Sequence, residues 1–199
     1  SSDVCSSDLL GVLELQDLIQ SLADPHAGVR RHAVRIAEDR IHASPELAAA
    51  LVKVAEDADP QVRLQIACTL GAWRDRRAAE LIARMLLRHH ADVNVRWALL
   101  TSIHADNIQP VVAAMGRERA EPAARQAVIP SLIRLAAARD AADLLEQFVE
   151  QLAKEDAADA FRFTALRELL VALGKGTATS GKSASSREAL DRVLADARK

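Results

Sequence analysis

The chain has 199 residues and a formal charge of −2; half of its residues are hydrophobic and only 3% are aromatic. That balance supplies material for a sizeable core and argues against a nucleic-acid surface, which needs a basic excess or stripe. No apolar run reaches the roughly 18 residues of a membrane-spanning helix, the first residues lack the basic and continuous apolar regions of a signal peptide, and alternating β-branched runs are missing, so the expected elements are helices.

Residues 1–9, SSDVCSSDL, have no helical period and resemble translated sequencing adapter. They are read as a non-native, unstructured leader, which leaves Cys68 as the one native cysteine and excludes an intrachain disulfide. First helices are expected over 10–22, 45–56, 76–89, 108–117 and 140–154. Ser44, followed by Pro45, and Asp75 stand at N-cap positions. The turns Asp24-Pro25, Asp59-Pro60 and Glu121-Pro122 break one helix and launch the next. A second helix then opens on a Val-Arg pair: Val29-Arg30, Val62-Arg63 and Val95-Arg96, at equal intervals of 33 residues. Arg125 and Arg162 extend the series with irregular spacing.

Four positions after each anchor stand Ala33, Ile66, Leu99, Val128 and Ala165; eight positions after stand Ala37, Leu70, Ile103, Leu132 and Leu169. Apolar columns at this spacing mark the buried stripe of a helix. Pro130 falls inside the fourth second helix, where a kink is expected. Residues 175–185 form a flexible Gly/Ser/Thr/Lys linker, and 186–199 read as a truncated helix of a further repeat. The linker contains Gly176 to Ser183, a literal match to the phosphate-binding pattern G-x-x-x-x-G-K-[ST]. That pattern needs a strand before it and a sheet around it; a helix precedes it here, so no nucleotide cofactor is expected.

Self-similarity at this period is the signature of a solenoid, in which units that cannot bury their apolar faces alone must stack. The residues resemble the HEAT-repeat family, whose pattern sets an Asp in the intra-repeat turn and Val-Arg five and six residues later. Asp24/Arg30 and Asp57/Arg63 match, and Asp156/Arg162 matches with Phe161 in place of Val. Copy three departs, with His90 in the Asp place, and copy four has Arg119 there and Ala124 in place of Val. The resemblance implies an all-α, right-handed α-solenoid of about five helix pairs over 10–174. It also implies that Asp24, Arg30, Asp57, Arg63, Arg96, Asp156 and Arg162 form a structural ladder between repeats. On this reading the Asp57 carboxylate accepts from Arg30, Arg63, Arg96 or a second-helix amide, and the Asp24 carboxylate likewise from Arg30 or Arg63. Residues 24–38 and 57–73 further resemble the HEAT segment of planctomycete-type membrane-bound dehydrogenases. In that family a propeller precedes the repeats and a c-type cytochrome domain follows, which implies an exported parent protein. The haem-attachment pattern is absent from this chain, and no compartment follows from the chain itself.

No catalytic, cofactor or metal residue is assigned. The histidines at 26, 32, 42, 89, 90 and 104 lack ligand spacing, although His89 and His90 are placed to favour the C-terminal dipole of the third first helix. Cys68 has no base specified beside it. The function expected is a non-catalytic scaffold that binds a protein or a neighbouring domain of the same polypeptide, with no nucleic acid, membrane insertion or metal. The alternatives are a HEAT-like DNA glycosylase, which a salt-dependent DNA shift would reveal, and a bilin-lyase-like protein, which a pigment-transfer assay would separate. The resemblance places second helices on the partner-facing side. Arg31, Leu64, Trp97 and Phe163, with Arg35 and Arg167, are therefore candidate partner-binding residues, Trp97 foremost. Filling of gaps between adjacent second helices is the competing role for Trp97 and Phe163.

Overall fold

A computed structural model describes residues 13–42, 44–139, 141, 143–148 and 160–174, with the side chains of 164–171 in the last segment. The expected leader, the linker with its phosphate-type pattern, the final helix, and the side chains of Asp156, Arg162 and Phe163 lie outside the described residues. Every regular element among the described residues is a helix. The chain divides into two compact units, 1–119 and 120–199.

Unit one holds α1 (Leu15–Ser21), α2 (Ala27–Ala37), α3 (Pro45–Val54), α4 (Pro60–Thr69), α5 (Arg76–Arg88), α6 (Val93–Thr101) and α7 (Ile108–Arg117). Consecutive helices pair as α1 with α2, α3 with α4 and α5 with α6. First helices stack on first helices, α1 on α3 and α5 on α7; the second helices α2, α4 and α6 form their own row. This is an all-α helical-repeat fold in which packing follows sequence order, as expected when each pair needs its neighbour to cover its apolar stripe.

Local chemistry sets where the helices begin. Ser44 Oγ accepts from the Leu47 amide and caps α3, with Pro45 in the first turn, where its missing N–H costs nothing. Asp59 caps α4 through the Gln61 and Val62 amides, Asp75 caps α5, and Asp92 caps α6 through the Asn94 and Val95 amides. The core follows from the columns. Val29, Val62 and Val95 are buried, as are Ala33, Ile66 and Leu99 and, four further on, Ala37, Leu70 and Ile103. A polar device joins the second helices at their C-terminal ends. Ser102 Oγ donates to the Ala67 carbonyl at 2.7 Å, satisfying an acceptor of the last turn of α4. Gly71 permits this approach, because a Cβ there would lie 3.2 Å from Ser102 Cα and Oγ.

Unit two contains α8 (Pro122–Ala138), the helical residues 143–148 and α9 (Ala160–Gly174), and α8 packs against α9. The columns persist here: Val128, Leu132, Ala165 and Leu169 are buried. Pro130 is buried within α8, whereas its column partners Arg35, Cys68 and Thr101 are exposed. The division between the units falls where the period shortens from 33 to 29 residues and Arg119 replaces the turn Asp.

Candidate functional site

The Arg column builds the intra-repeat turns. Arg30 Nη1 donates to the Asp24 and Pro25 carbonyls, and Arg63 Nη1 to the Asp57 and Ala58 carbonyls. Arg96 Nη1 reaches the His90 carbonyl in the same way. Each guanidinium thus clips the turn of its own copy. Arg30 does more. Its Nε and Nη2 donate side-on to Asp57 Oδ2 and Oδ1 at 2.6 and 2.7 Å, joining copies one and two. The pair is well covered, with side chains 17% and 8% exposed. The hydrogen bond from Arg30 is the main cause holding the Asp57 carboxyl below its ordinary range, against the opposing effect of burial. Asp57 Oδ1 also accepts from the Asp59 amide at 2.8 Å.

Among the described residues the ladder has one rung, from Arg30 of copy one to Asp57 of copy two, and Asp24 differs from expectation. Its carboxylate takes the His26 amide at 2.7 Å, while Arg30 takes only its carbonyl. The reason is geometric: the side-on face of Arg30 is committed one copy onward, to Asp57. The side-on face of Arg63 meets no such carboxylate, because His90 occupies that place in copy three. Arg63 Nε is buried without a hydrogen-bond partner among the described residues, as is Nε2 of His89. Burial, with the Arg63 guanidinium next in weight, holds the His89 imidazole below its ordinary range. It is therefore neutral at pH 7 and does not serve the α5 dipole as a cation.

A pH dependence follows from that direction. A histidine whose folded pKa is depressed binds protons less readily than in the unfolded chain, so its contribution to stability is present above about pH 6.5 and declines as pH falls below it. Thermal unfolding should show a loss of stability beginning below about pH 6.5 that His89→Gln removes. An unchanged profile in that variant would show that the loss originates elsewhere.

The second-helix row presents its outer face through residues four apart: Arg31 and Arg35 on α2, Leu64 and Cys68 on α4, and Val93, Trp97 and Thr101 on α6. Arg31 and Arg35 are exposed and Leu64 is half-buried. Trp97 is 55% exposed and Val93 is 52% exposed. Arg31 Nη1 reaches Gln61 Oε1 at 3.2 Å, so the basic end of the face lies against α4. Burial of its sulfur and the nearby Glu38 carboxylate both push the Cys68 thiol up, opposite to what a nucleophile needs. Arg167 belongs to unit two, where it and Arg134 hold the buried Glu168 at 2.9 and 3.1 Å. Burial pushes the Glu168 carboxyl up, but the two guanidiniums outweigh it and keep it below the ordinary range.

Sequence reasoning did not single out a cleft of about 440 Å³ between the start of α5 and α7. Trp73, Ala79, Pro110 and Ala113 line it, with Arg74, His104 and Asp106 among its polar residues. Arg74 Nη1 bonds Asp106 Oδ2 at 3.1 Å, and Arg77 lies over the Trp73 ring at 5.2 Å. Trp73, Arg74, His104 and Asp106 sit in inter-repeat turns and Ala79, Pro110 and Ala113 on α5 and α7, outside the second-helix columns that periodicity exposes, and the cleft exists only once α7 packs on α5. Among the described residues no group of three or more His, Cys, Asp and Glu side chains is gathered to hold a metal ion, and no helix is long and apolar enough to cross a membrane.

Stacked helix pairs, with first helices on first helices and second helices in their own row, define a helical-repeat protein. Residues 15–103 match the family model described as HEAT repeats. No curated protein and no solved structure matches the chain.

Proposed function

We propose that this chain is a non-catalytic scaffold whose second-helix row, α2, α4 and α6, docks an acidic protein segment carrying an apolar anchor. The exposure of Trp97 supports this reading most directly. A Trp more than half exposed, with Val93 one turn before it and the half-buried Leu64 on the adjacent helix, costs apolar surface that interior packing would have removed. Arg31 and Arg35 on α2 supply the charge that selects an acidic sequence. Trp and Arg are also the residue types enriched where binding energy concentrates. Arg167 and Phe163 stay outside this proposal, which concerns unit one alone.

The test is anisotropy of a fluorescein-labelled acidic peptide with one central Phe, titrated with the full chain. Saturable binding is expected. Trp97→Ala should weaken it by about tenfold or more, and the same anchor in a Lys-rich peptide should fail to bind. Equal binding of both peptides, or indifference to Trp97→Ala, overturns the reading.

The finer reading makes the chain the link between a dehydrogenase domain and a cytochrome domain of an exported protein. It is supported by the sequence likeness of residues 24–38 and 57–73. Genomic sequence flanking this stretch tests it: an upstream propeller and a downstream Cys-x-x-Cys-His are expected. The enzymatic alternatives find no favouring observation in the arrangement of the described side chains.

A further inference from the structure

We infer that Arg63 and His89 form an oxyanion site at the junction of copies two and three, taking a carboxylate or similar small oxyanion where copy two supplies its own carboxylate from Asp57. The argument begins with the period. Asp57 plus 33 residues is His90, so the residue that would meet the side-on face of Arg63 has no carboxylate. Arg63 clips its own turn as Arg30 does, donating Nη1 to two carbonyls at 2.7 and 2.8 Å. In copy one, that clip leaves Nε and Nη2 aimed at a carboxylate. In copy two, Nε is buried and unpaired among the described residues.

A second buried nitrogen, His89 Nε2 of the residue beside His90, is also unpaired among the described residues. The Arg63 charge is near enough to act on the His89 ring. Two buried polar atoms left without partners are costly, and the cost is relieved by a ligand that accepts from Arg63 Nε and, with the ring proton on Nε2, from His89. The acids that act on His89, Glu56 and Asp92, are committed elsewhere: Glu56 pairs with Arg88, and Asp92 caps α6 through the Asn94 and Val95 amides. Arg88, paired with Glu56, is the second cation whose charge reaches the His89 ring. The two nitrogens are covered, but Arg63, His89 and His90 are each half-buried and Ala91 is exposed, so the junction lies at the protein surface. A bound anion also compensates the second positive charge when His89 protonates, so affinity should rise on acidification.

The experiment uses the full chain and two probes, sodium sulfate and sodium acetate, each against sodium chloride at matched ionic strength. Melting temperature is followed together with the NMR titration of the His89 ring. His90→Asp, which restores the pattern of copy two, is the control that retains the general salting effect of sulfate. The expected result has three parts: saturable stabilisation of the parent chain beyond that of His90→Asp, a His89 pKa raised by the anion, and tighter binding at pH 5.5 than at pH 8. A response to sulfate alone assigns a tetrahedral oxyanion, and a response to acetate alone a carboxylate. Equal responses of the parent chain and His90→Asp mean an adventitious ion only and overturn the inference, as does a His89 titration that neither anion moves. Arg63→Met should also abolish the anion effect; should that variant fail to fold, the His90→Asp comparison still decides.

Discussion

Replacing Asp57 with alanine should destabilise unit one by about 2–3 kcal/mol, the range for a charge-assisted, well-covered pair that loses one partner. The loss has two sources. Arg30 Nε and Nη2 would be left without the carboxylate they meet side-on, in a place where the guanidinium is largely covered. The Asp59 amide would lose its acceptor just where Asp59 itself caps α4. Asp57→Asn keeps an acceptor for that amide but removes the charge, so it should fall between the two proteins. The sign with pH is fixed by the direction of the shift. Because Arg30 holds the Asp57 carboxyl below its ordinary value, the stabilisation is present above about pH 4 and is lost as pH falls through the folded pKa. Chemical denaturation of the parent chain and Asp57→Ala, compared at pH 7 and pH 3, checks both statements. The difference should be larger at pH 7 than at pH 3, because the unfolded carboxyl begins to bind its proton at a higher pH than the folded one; an undiminished difference at pH 3 would make the effect one of packing.

Much of the helical layout was legible because it depends on short-range rules. The starts of α3 and α5 fall at 45 and 76, where Ser44 with Pro45 and Asp75 place them, and that of α7 falls at the expected 108. The columns led by Ala33 and Ala37 are buried in every copy, since a stripe four residues apart can face only one way on a helix. The direction of the ladder was less legible. One sequence shows that Asp and Arg recur at a fixed offset, but which copy an Arg reaches depends on how far adjacent pairs are displaced, a property of packing. Asp24 shows the difference, with its carboxylate turned to His26 while Arg30 reaches forward to Asp57. The Trp73 cleft was invisible for a related reason, because its walls come from two turns about 30 residues apart and the helices that follow them, which only stacking brings together.

The two tryptophans of the chain should respond oppositely to truncation. Trp73 follows the C-terminal end of α4 by a few residues and is 2% exposed, with Arg77 over its ring. Trp97 lies on α6, on the outer face of the row, and is 55% exposed. The repeat columns place Trp97 two residues past its anchor valine, off the buried stripe, whereas Trp73 falls beyond α4 and in none of them. Trp73→Ala should cost about 3–5 kcal/mol, combining lost apolar transfer with a cavity that the neighbouring helices only partly close. Trp97→Ala should cost no more than about 0.5 kcal/mol, as for a surface position outside special features. Acrylamide should quench the fluorescence of Trp73→Phe, where Trp97 remains, far more efficiently than that of Trp97→Phe. Denaturant unfolding of the alanine variants supplies the energies. If Trp97→Ala proves as costly as Trp73→Ala, Trp97 is a packing residue between second helices and the docking face loses its anchor. If it is nearly neutral, the exposed indole contributes nothing to folding, and its surface remains available to a partner.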